Sequence, residues 1–177
     1  TGTLTTGEFS VTNFNIINGN KKEISNIIFN IESHSNHPIA KSLCKYFDKN
    51  NKLINVTNII EKKGISISAK VDNIKYEIGS SKINHSELNN DIYVLKDNIL
   101  IATLDIKDTI KENCKSIISS LHSEGYSTTI LSGDSKEKCN EIALEIGVNS
   151  ILGEQLPKDK IKYIEKIIMN NTKIMVG

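Results

Sequence analysis

The sequence predicts an α/β domain with a second, α+β domain inserted into it. Three observations carry this. From about Ile106 onward, helix and strand patterns alternate, which means a parallel sheet with helices packed outside it. From about Glu8 to Thr103 the texture changes to two helices followed by short β-rich segments. The opening run Thr1-Gly2-Thr3-Leu4-Thr5 makes chemical sense only beside the C-terminal sheet, so the middle of the chain is the insertion. The expected division is residues 1–8 with 104–177 for the first domain and 9–103 for the second.

In chain order, Phe9 to Ile17 is strand-like. Ile24 to Ile31 and Ile39 to Phe47 are helical, split by a polar turn that ends in His37-Pro38. Then come five β-rich segments: Leu53 to Ile60, Ile65 to Val71, Ile74 to Ile78, Ile92 to Leu95 and Ile99 to Leu104. Asp72-Asn73 and Asp97-Asn98 fit hairpin turns, giving an antiparallel sheet flanked by helices. Short strands near Phe9 and Leu104 are expected to be the joints. Asp108 to His122 reads as an amphipathic helix with Ile110, Cys114, Ile117, Ile118 and Leu121 on one stripe, ended by Gly125. Ser127 to Leu131 is a strand, Lys136 to Ile146 a helix closed by Gly147, and Ser150 to Leu152 a short strand. Pro157 opens a third helix in its first turn, where proline is tolerated, and it runs to about Met169. Lys173 to Val176 is the last strand.

The 177 residues are enough to bury a real core. A net charge of +1 gives no electrostatic case for nucleic acid or an anionic membrane surface. All the basic residues are lysine, and Asn and Ile abound, which reads as AT-rich codon usage. No stretch approaches the ~18 uninterrupted apolar residues of a membrane span. Cys44, Cys114 and Cys139 are widely spaced without a Cys-x-x-Cys pair, so reduced, buried thiols on helices are expected, in a cytosolic compartment.

Several short motifs carry chemistry. The Thr-Gly-Thr-Leu-Thr turn offers backbone N–H groups and hydroxyls to an anion. Ile130-Leu131-Ser132-Gly133-Asp134 ends a buried strand in a hydroxyl, a glycine and a carboxylate just before a helix, where open α/β sheets bind ligands. Those three residues hold a phosphoryl oxygen, or they are only a capped turn. Lys158 and Lys160 stand at the start of a helix, whose dipole disfavours cations, so they are either solvated or turned toward a phosphoryl group. In the insertion, Glu32-Ser33-His34-Ser35-Asn36-His37-Pro38 puts an acid and an imidazole between two helices, with His37 forced into extended geometry. A neutral imidazole can stack on adenine and a carboxylate can accept from its amine; the competing reading of His37 is a helix cap. Gly64-Ile65-Ser66-Ile67 and Gly79-Ser80 add two glycine-bearing turns where backbone can approach a nucleotide. Ile174-Met175-Val176-Gly177 reads as a strand running into a glycine turn, and both ends of the chain look like interrupted motifs.

Together these residues resemble the ATP-binding cytoplasmic unit of heavy-metal-transporting P-type ATPases, the P1B class. Thr1 to Thr5 match the last five positions of the Asp-Lys-Thr-Gly-Thr-Leu-Thr signature, Ser35 to Pro38 match Ser-x-His-Pro, Ser132 to Asp134 match Thr-Gly-Asp, and Pro157 to Lys160 match Pro-x-x-Lys. Gly177 would begin the Gly-Asp-Gly-x-Asn-Asp loop. The resemblance implies a haloacid-dehalogenase-like, Rossmannoid phosphorylation domain with a nucleotide-binding domain inserted in it. It implies that Glu32 and His37 hold adenine, helped by Gly64, Ser66, Ile67, Gly79 and Ser80. It implies that Thr3, Ser132, Gly133 and Lys160 bind the transferred phosphoryl group, with Asp134 in the same catalytic set, and that Thr1 gives Mg²⁺ a backbone carbonyl. ATP and Mg²⁺ are the implied cofactors. The phosphorylated Asp would lie two residues before Thr1, so this stretch is expected to bind nucleotide without turning over.

Ser66 and Ser80 depart from the family's Gly-x-Gly and Gly-Asn; Ser66 adds a Cβ where backbone should lie near the nucleotide, so weak ATP binding is expected. The function expected for the intact protein is export of a heavy-metal ion through an aspartyl-phosphate cycle, with Cu(I) favoured over Zn²⁺ or Cd²⁺ on likeness of the phosphorylation-domain segments. Its partners would be transmembrane and actuator domains of the same polypeptide, with the metal bound among the membrane helices. The rivals are a soluble phosphatase of the same superfamily with a cap domain, which has no use for the Ser-x-His-Pro turn, and a non-catalytic nucleotide-binding module.

Overall fold

The structure is a computed structural model that describes residues 2–48, 52–84 and 88–168. Its elements are β1 (Thr5–Ile16), α1 (Lys21–Glu32), α2 (Pro38–Phe47), β2 (Thr57–Lys62), β3 (Ser66–Val71), β4 (Ile74–Gly79), a 3₁₀ turn (Ser81–Ile83), β5 (Ile92–Lys96), β6 (Ile99–Ile110), α3 (Cys114–Ser123), β7 (Thr129–Leu131), α4 (Lys136–Ile146), β8 (Ser150–Leu152) and α5 (Pro157–Ile168). They fall into two compact units, residues 7–109 and residues 1–6 with 110–177.

The unit of residues 7–109 is a six-stranded sheet in the order β1-β6-β5-β4-β3-β2, with β2 to β6 paired antiparallel in sequence. Both Asp-Asn turns form as expected. Asp72 and Asn73 have φ of 49° and 63°, and Asp97 and Asn98 have 46° and 66°, the left-handed pair that a two-residue hairpin matching the sheet's twist requires. Helix α1 begins at an Asn20 cap whose Oδ1 accepts from Lys22 N and Glu23 N. Its Ile24, Ile27, Ile28 and Ile31 recur at helical spacing and are buried with Leu43 and Phe47 of α2 against Ile67, Ala69, Ile78, Val94 and Leu104 of the sheet. Each fully buried side chain such as Ile28 contributes roughly 2–3 kcal/mol relative to exposure.

Two expectations change. No strand covers Leu53 to Val56; β2 starts at Thr57. Lys52 N donates to Asn26 Oδ1 (2.7 Å), the buried Asn30 amide donates to Lys52 O (2.9 Å), and Ile54 N donates to Asn30 Oδ1 (3.1 Å). The backbone there is tied to α1, so its donors are not available to a ladder. The helix expected from Asp108 begins only at Cys114, because residues 108–110 continue β6. Asp108 Oδ1 accepts from Gly7 N (3.0 Å) and Lys111 N donates to Leu4 O (3.0 Å), so pairing with a segment a hundred residues earlier overrides the amphipathic stripe. The strands expected to be short joints, β1 and β6, are accordingly twelve residues each.

In the other unit β7 and β8 pair in parallel, Thr129 with Ser150 through Leu131 with Leu152. Gly147 closes α4 in the left-handed conformation, φ 83°, and its N–H returns to Ala143 O. Cys139, Ala143 and Ile130 form one buried cluster, and Cys114, Ile118 and Ile146 another; Leu4 packs against both. All three cysteines are free and lie on helices, with Cys114 and Cys139 buried and Cys44 half-buried. The strand expected over Lys173 to Val176, the turn at Gly177 and the role expected of Thr1 lie outside the described residues.

Candidate functional site

In the unit of residues 7–109, α1 runs out at Glu32 into a turn built by its own polar side chains. Ser35 Oγ accepts from His37 N (3.2 Å) and donates to Glu61 Oε1 on β2 (2.8 Å). His37 is extended (φ −63°, ψ 140°), as the following proline demands, and its Nδ1 accepts from Ile39 N (3.2 Å) to cap α2. With Nδ1 an acceptor, the proton of the neutral ring sits on Nε2, which is left to donate to a ligand. The capping reading of His37 and the ligand reading therefore use opposite edges of one ring. His34, Asn36, His37, Glu61 and Lys63 line an open depression of about 320 Å³.

Glu32 is 6 % exposed. Burial, and then the charge of nearby Glu61, push its carboxyl up to about 8. At neutral pH it is a carboxylic acid, able both to donate and to accept.

The two glycine-bearing turns interlock. Ile65 N donates to Lys62 O (2.9 Å) across a turn containing Gly64 at φ 70°. Ile65 O in turn accepts from Ser80 N (3.0 Å) and Ser80 Oγ (3.4 Å). Ser66 pairs with Gly79 across the β3–β4 ladder, and a Cβ on Gly79 would stand 2.4 Å from Ile65 O and 2.6 Å from Ser66 Cβ. The Ser66 side chain is buried, and its hydroxyl donates to Glu77 Oε1 at 2.8 Å. The Cβ that the sequence places near a nucleotide is thus turned into the sheet, against Gly79. Burial works to raise the Glu77 carboxyl, but the Ser66 hydroxyl, Lys75 and Lys62 more than offset it, holding the group below the usual carboxylate range. Ile67 is buried among the core residues and contributes backbone at most.

In the unit of residues 1–6 and 110–177, the turn after β7 is held by β8. Ser132 N donates to Leu152 O (3.0 Å), Gln155 N to Ser132 O (2.9 Å) and Glu154 N to Asp134 O (2.7 Å). Ser132 Oγ donates to Asp134 Oδ2 (2.7 Å) and accepts from Asp134 N (3.2 Å), which fixes hydroxyl and carboxylate at the strand's carboxyl end. Gly153 is buried against this turn; a Cβ there would meet Lys136 Cα at 3.0 Å and Asp134 O at 3.1 Å. Lys160 lies in the first turn of α5, half-buried, its N–H on Leu156 O (3.1 Å). Thr3 belongs to the opening turn, where Gly2 N donates to Thr5 Oγ1 (3.2 Å) and Lys111 Nζ to Gly2 O (2.6 Å). Leu4 anchors that turn in the cluster that holds Ile130 of β7. Among the described residues no group of three or more His, Cys, Asp or Glu could hold a metal ion.

Sequence reasoning passed over Glu61, Lys63, Gly153 and Lys111. The charge run Glu61-Lys62-Lys63 directly before Gly64 is a signal for the first two; Lys111 and Gly153 matter through contacts that nothing local announces.

A family model for haloacid dehalogenase-like hydrolases matches residues 1–177. A probable cadmium-transporting ATPase of Alkalihalophilus pseudofirmus is 31 % identical over 94 % of this chain and 27 % of that protein. A probable copper-transporting P-type ATPase B of Staphylococcus aureus is 29 % identical over 99 % of this chain and 29 % of that protein. The chain thus spans less than a third of the length of these curated relatives. Among solved structures, the catalytic domain of the CPx-ATPase CopB-B, studied for its changes upon nucleotide binding, superposes with a TM-score of 0.82 at 32 % identity, covering 98 % of this chain and 66 % of that one. A zinc-transporting PIB-type ATPase, at 23 % identity and a TM-score of 0.68, shares the fold; it is covered over 30 % of its length by 96 % of this chain.

Proposed function

Because this chain belongs to the haloacid dehalogenase-like hydrolases, as a piece of the catalytic region of the heavy-metal P-type ATPases, we propose that it binds ATP and serves phosphoryl transfer in a protein that drives a heavy-metal ion across a membrane. The observation that carries the reading is the depression at the Ser-x-His-Pro turn, which His34, Asn36, His37, Glu61 and Lys63 line and where His37, its Nδ1 on Ile39 N, keeps Nε2 for a ligand. A cap domain of a soluble phosphatase has no need of this arrangement, and the cadmium- and copper-named relatives match over nearly the whole chain. Cytoplasmic placement beside transmembrane and actuator domains belongs to the same proposal; no helix of the described residues is long and apolar enough to cross a membrane.

In this reading the unit of residues 7–109 takes the base. Adenine presents a donor (N6) and an acceptor (N1) on one edge, and a neutral carboxyl at Glu32 matches both, whereas a carboxylate matches only N6. The other unit takes the phosphoryl group. Ser132 Oγ and the Gly133 N–H sit at a strand's carboxyl end, with Lys160 and Thr3 supplying further positive or donor character. Phosphoryl transfer asks for positioning and charge neutralisation more than for covalent chemistry, which suits a site made of donors and a lysine. Mg²⁺ would accompany the ATP phosphates, and Asp134 is the one carboxylate among these phosphoryl-binding residues. The cargo is proposed only as a heavy-metal ion, since the cadmium- and copper-named relatives match almost equally and the preference for Cu(I) gains no support from them.

The test is an NMR titration of the 177-residue chain with ATP, alongside His37→Ala. Saturable binding by the wild type, with shifts at residues 32–37 and loss in the variant, is the expected result. A folded wild type that shows no saturable shifts would remove the nucleotide reading.

A further inference from the structure

Two adjacent lysines leave β2 and are used differently. Lys62 Nζ lies 3.7 Å from Glu77 Oε1, and Lys75 Nζ lies 3.4 Å from Glu77 Oε2. Ser66 closes the cluster through its 2.8 Å hydroxyl bond to Glu77, whose side chain is only 11 % exposed. Lys63 takes no part in this cluster. It is exposed, has no ion-pair partner among the described residues, and lines the depression together with His34, Asn36, His37 and Glu61. Lys63 follows the last residue of β2 and is the second residue of the turn that Ile65 N closes on Lys62 O, so its side chain leaves the chain outside the β2–β3 ladder in which Lys62 pairs with Ser66. The turn between them cannot drift: Ile65 is bonded to Lys62 O and to Ser80, and Gly79 packs on Ser66 without room for a Cβ. The depression is therefore lined by the His34 and His37 side chains, by Lys63 as its one ammonium, and by Glu61, whose Oε1 accepts from Ser35 Oγ.

We propose that Lys63 is a phosphate contact of this nucleotide site, and that Ser66, through Glu77 and Lys62, is the positioning residue that holds it there. This rests on the reading of the depression as an adenine-nucleotide site and adds which end of the ligand the turn recognises. It also assigns Ser66 a use: the glycine expected by resemblance is replaced by a residue whose hydroxyl stiffens the turn from behind.

The experiment compares ATP with adenosine on the wild-type chain and on Lys63→Gln, Ser66→Ala and His37→Ala. Lys63→Gln, an exposed change, should lower ATP affinity about three- to fivefold, the scale of a solvent-accessible charge pair, leaving adenosine affinity unchanged. Added salt should erode the wild type's preference for ATP and have less effect on the variant. Ser66→Ala should lose the same preference in part, again sparing adenosine. If His37→Ala abolishes binding of both ligands while Lys63→Gln keeps the wild-type ATP-to-adenosine ratio, the phosphate assignment is wrong and the adenine reading stands. Equal loss of adenosine and ATP in Ser66→Ala would make its role structural and overturn the positioning assignment. Absence of saturable ATP binding to the folded wild type overturns both readings together.

Discussion

Replacing Glu32 by glutamine should remove most of the pH dependence of stability between mild acid and mild base. Glu32 is buried, and its folded-state value of about 8 stands above the ordinary 4.5 because burial and the Glu61 charge both oppose ionisation. A folded-state value raised in this way makes a contribution that is fully present below pH 4.5 and is lost as pH rises through about 8. In that window the unfolded chain ionises Glu32 and the folded chain does not. The gap of roughly 3.5 pH units, at about 1.4 kcal/mol each, sets a ceiling of about 5 kcal/mol on the loss. That is a large share of the ~5–15 kcal/mol that holds a typical domain. A glutamine side chain has the same shape and cannot ionise. Urea unfolding should therefore give a wild type that weakens steadily from about pH 5.5 to 8 and a Glu32→Gln variant that stays nearly flat, surpassing the wild type at the alkaline end. Glu77, held low, acts with the opposite sign and only in acid, where its contribution is lost as pH falls. Cys44, whose thiol is raised by burial and then by Glu32 and Asp48, enters only near pH 9 and above. Parallel slopes for wild type and Glu32→Gln across the window would refute the argument, because the two proteins differ in this one titratable group.

Two further outcomes follow from packing and capping. Gly79→Ala should cost about 1–3 kcal/mol or prevent folding of the sheet, since the new methyl meets Ile65 O at 2.4 Å as well as Ser66 Cβ; adding Ser66→Gly should restore only part of the loss, as read by urea midpoint, because the backbone oxygen stays in place. Asn20→Ala removes the acceptor for Lys22 N and Glu23 N and should cost about 1 kcal/mol in the same assay, with Asn20→Ser recovering most of it.

What was legible in the sequence was what neighbours along the chain decide. Asn and Asp tolerate positive φ, so Asp72-Asn73 and Asp97-Asn98 declared their turns. Proline sets the residue before it, so His37 is extended. Glycine closes α4 at Gly147, and the isoleucine spacing of α1 announced its buried face. The candidate residues at Ser132–Asp134 were legible for the same reason, since a hydroxyl, a glycine and a carboxylate between strand and helix form a local pattern.

The tertiary structure alone decided the rest. Asp108 to Ile110 has a helical stripe yet lies in β6, because β1 from the far end of the chain pairs with that strand, with Gly7 N on the Asp108 carboxylate and Leu4 O accepting from Lys111 N just beyond it. Leu53 has strand composition, but Asn26 and Asn30 capture the backbone on either side of it. Ser66 looks like an obstacle to a ligand until Glu77 and Gly79 are placed beside it. Glu32 reads as a carboxylate until burial and Glu61 make it an acid. Backbone conformation over a few residues is set by local sterics, which the order of residues contains. A group's partners and its charge depend on which distant segments are packed against it, and that arrangement exists only once the chain has folded.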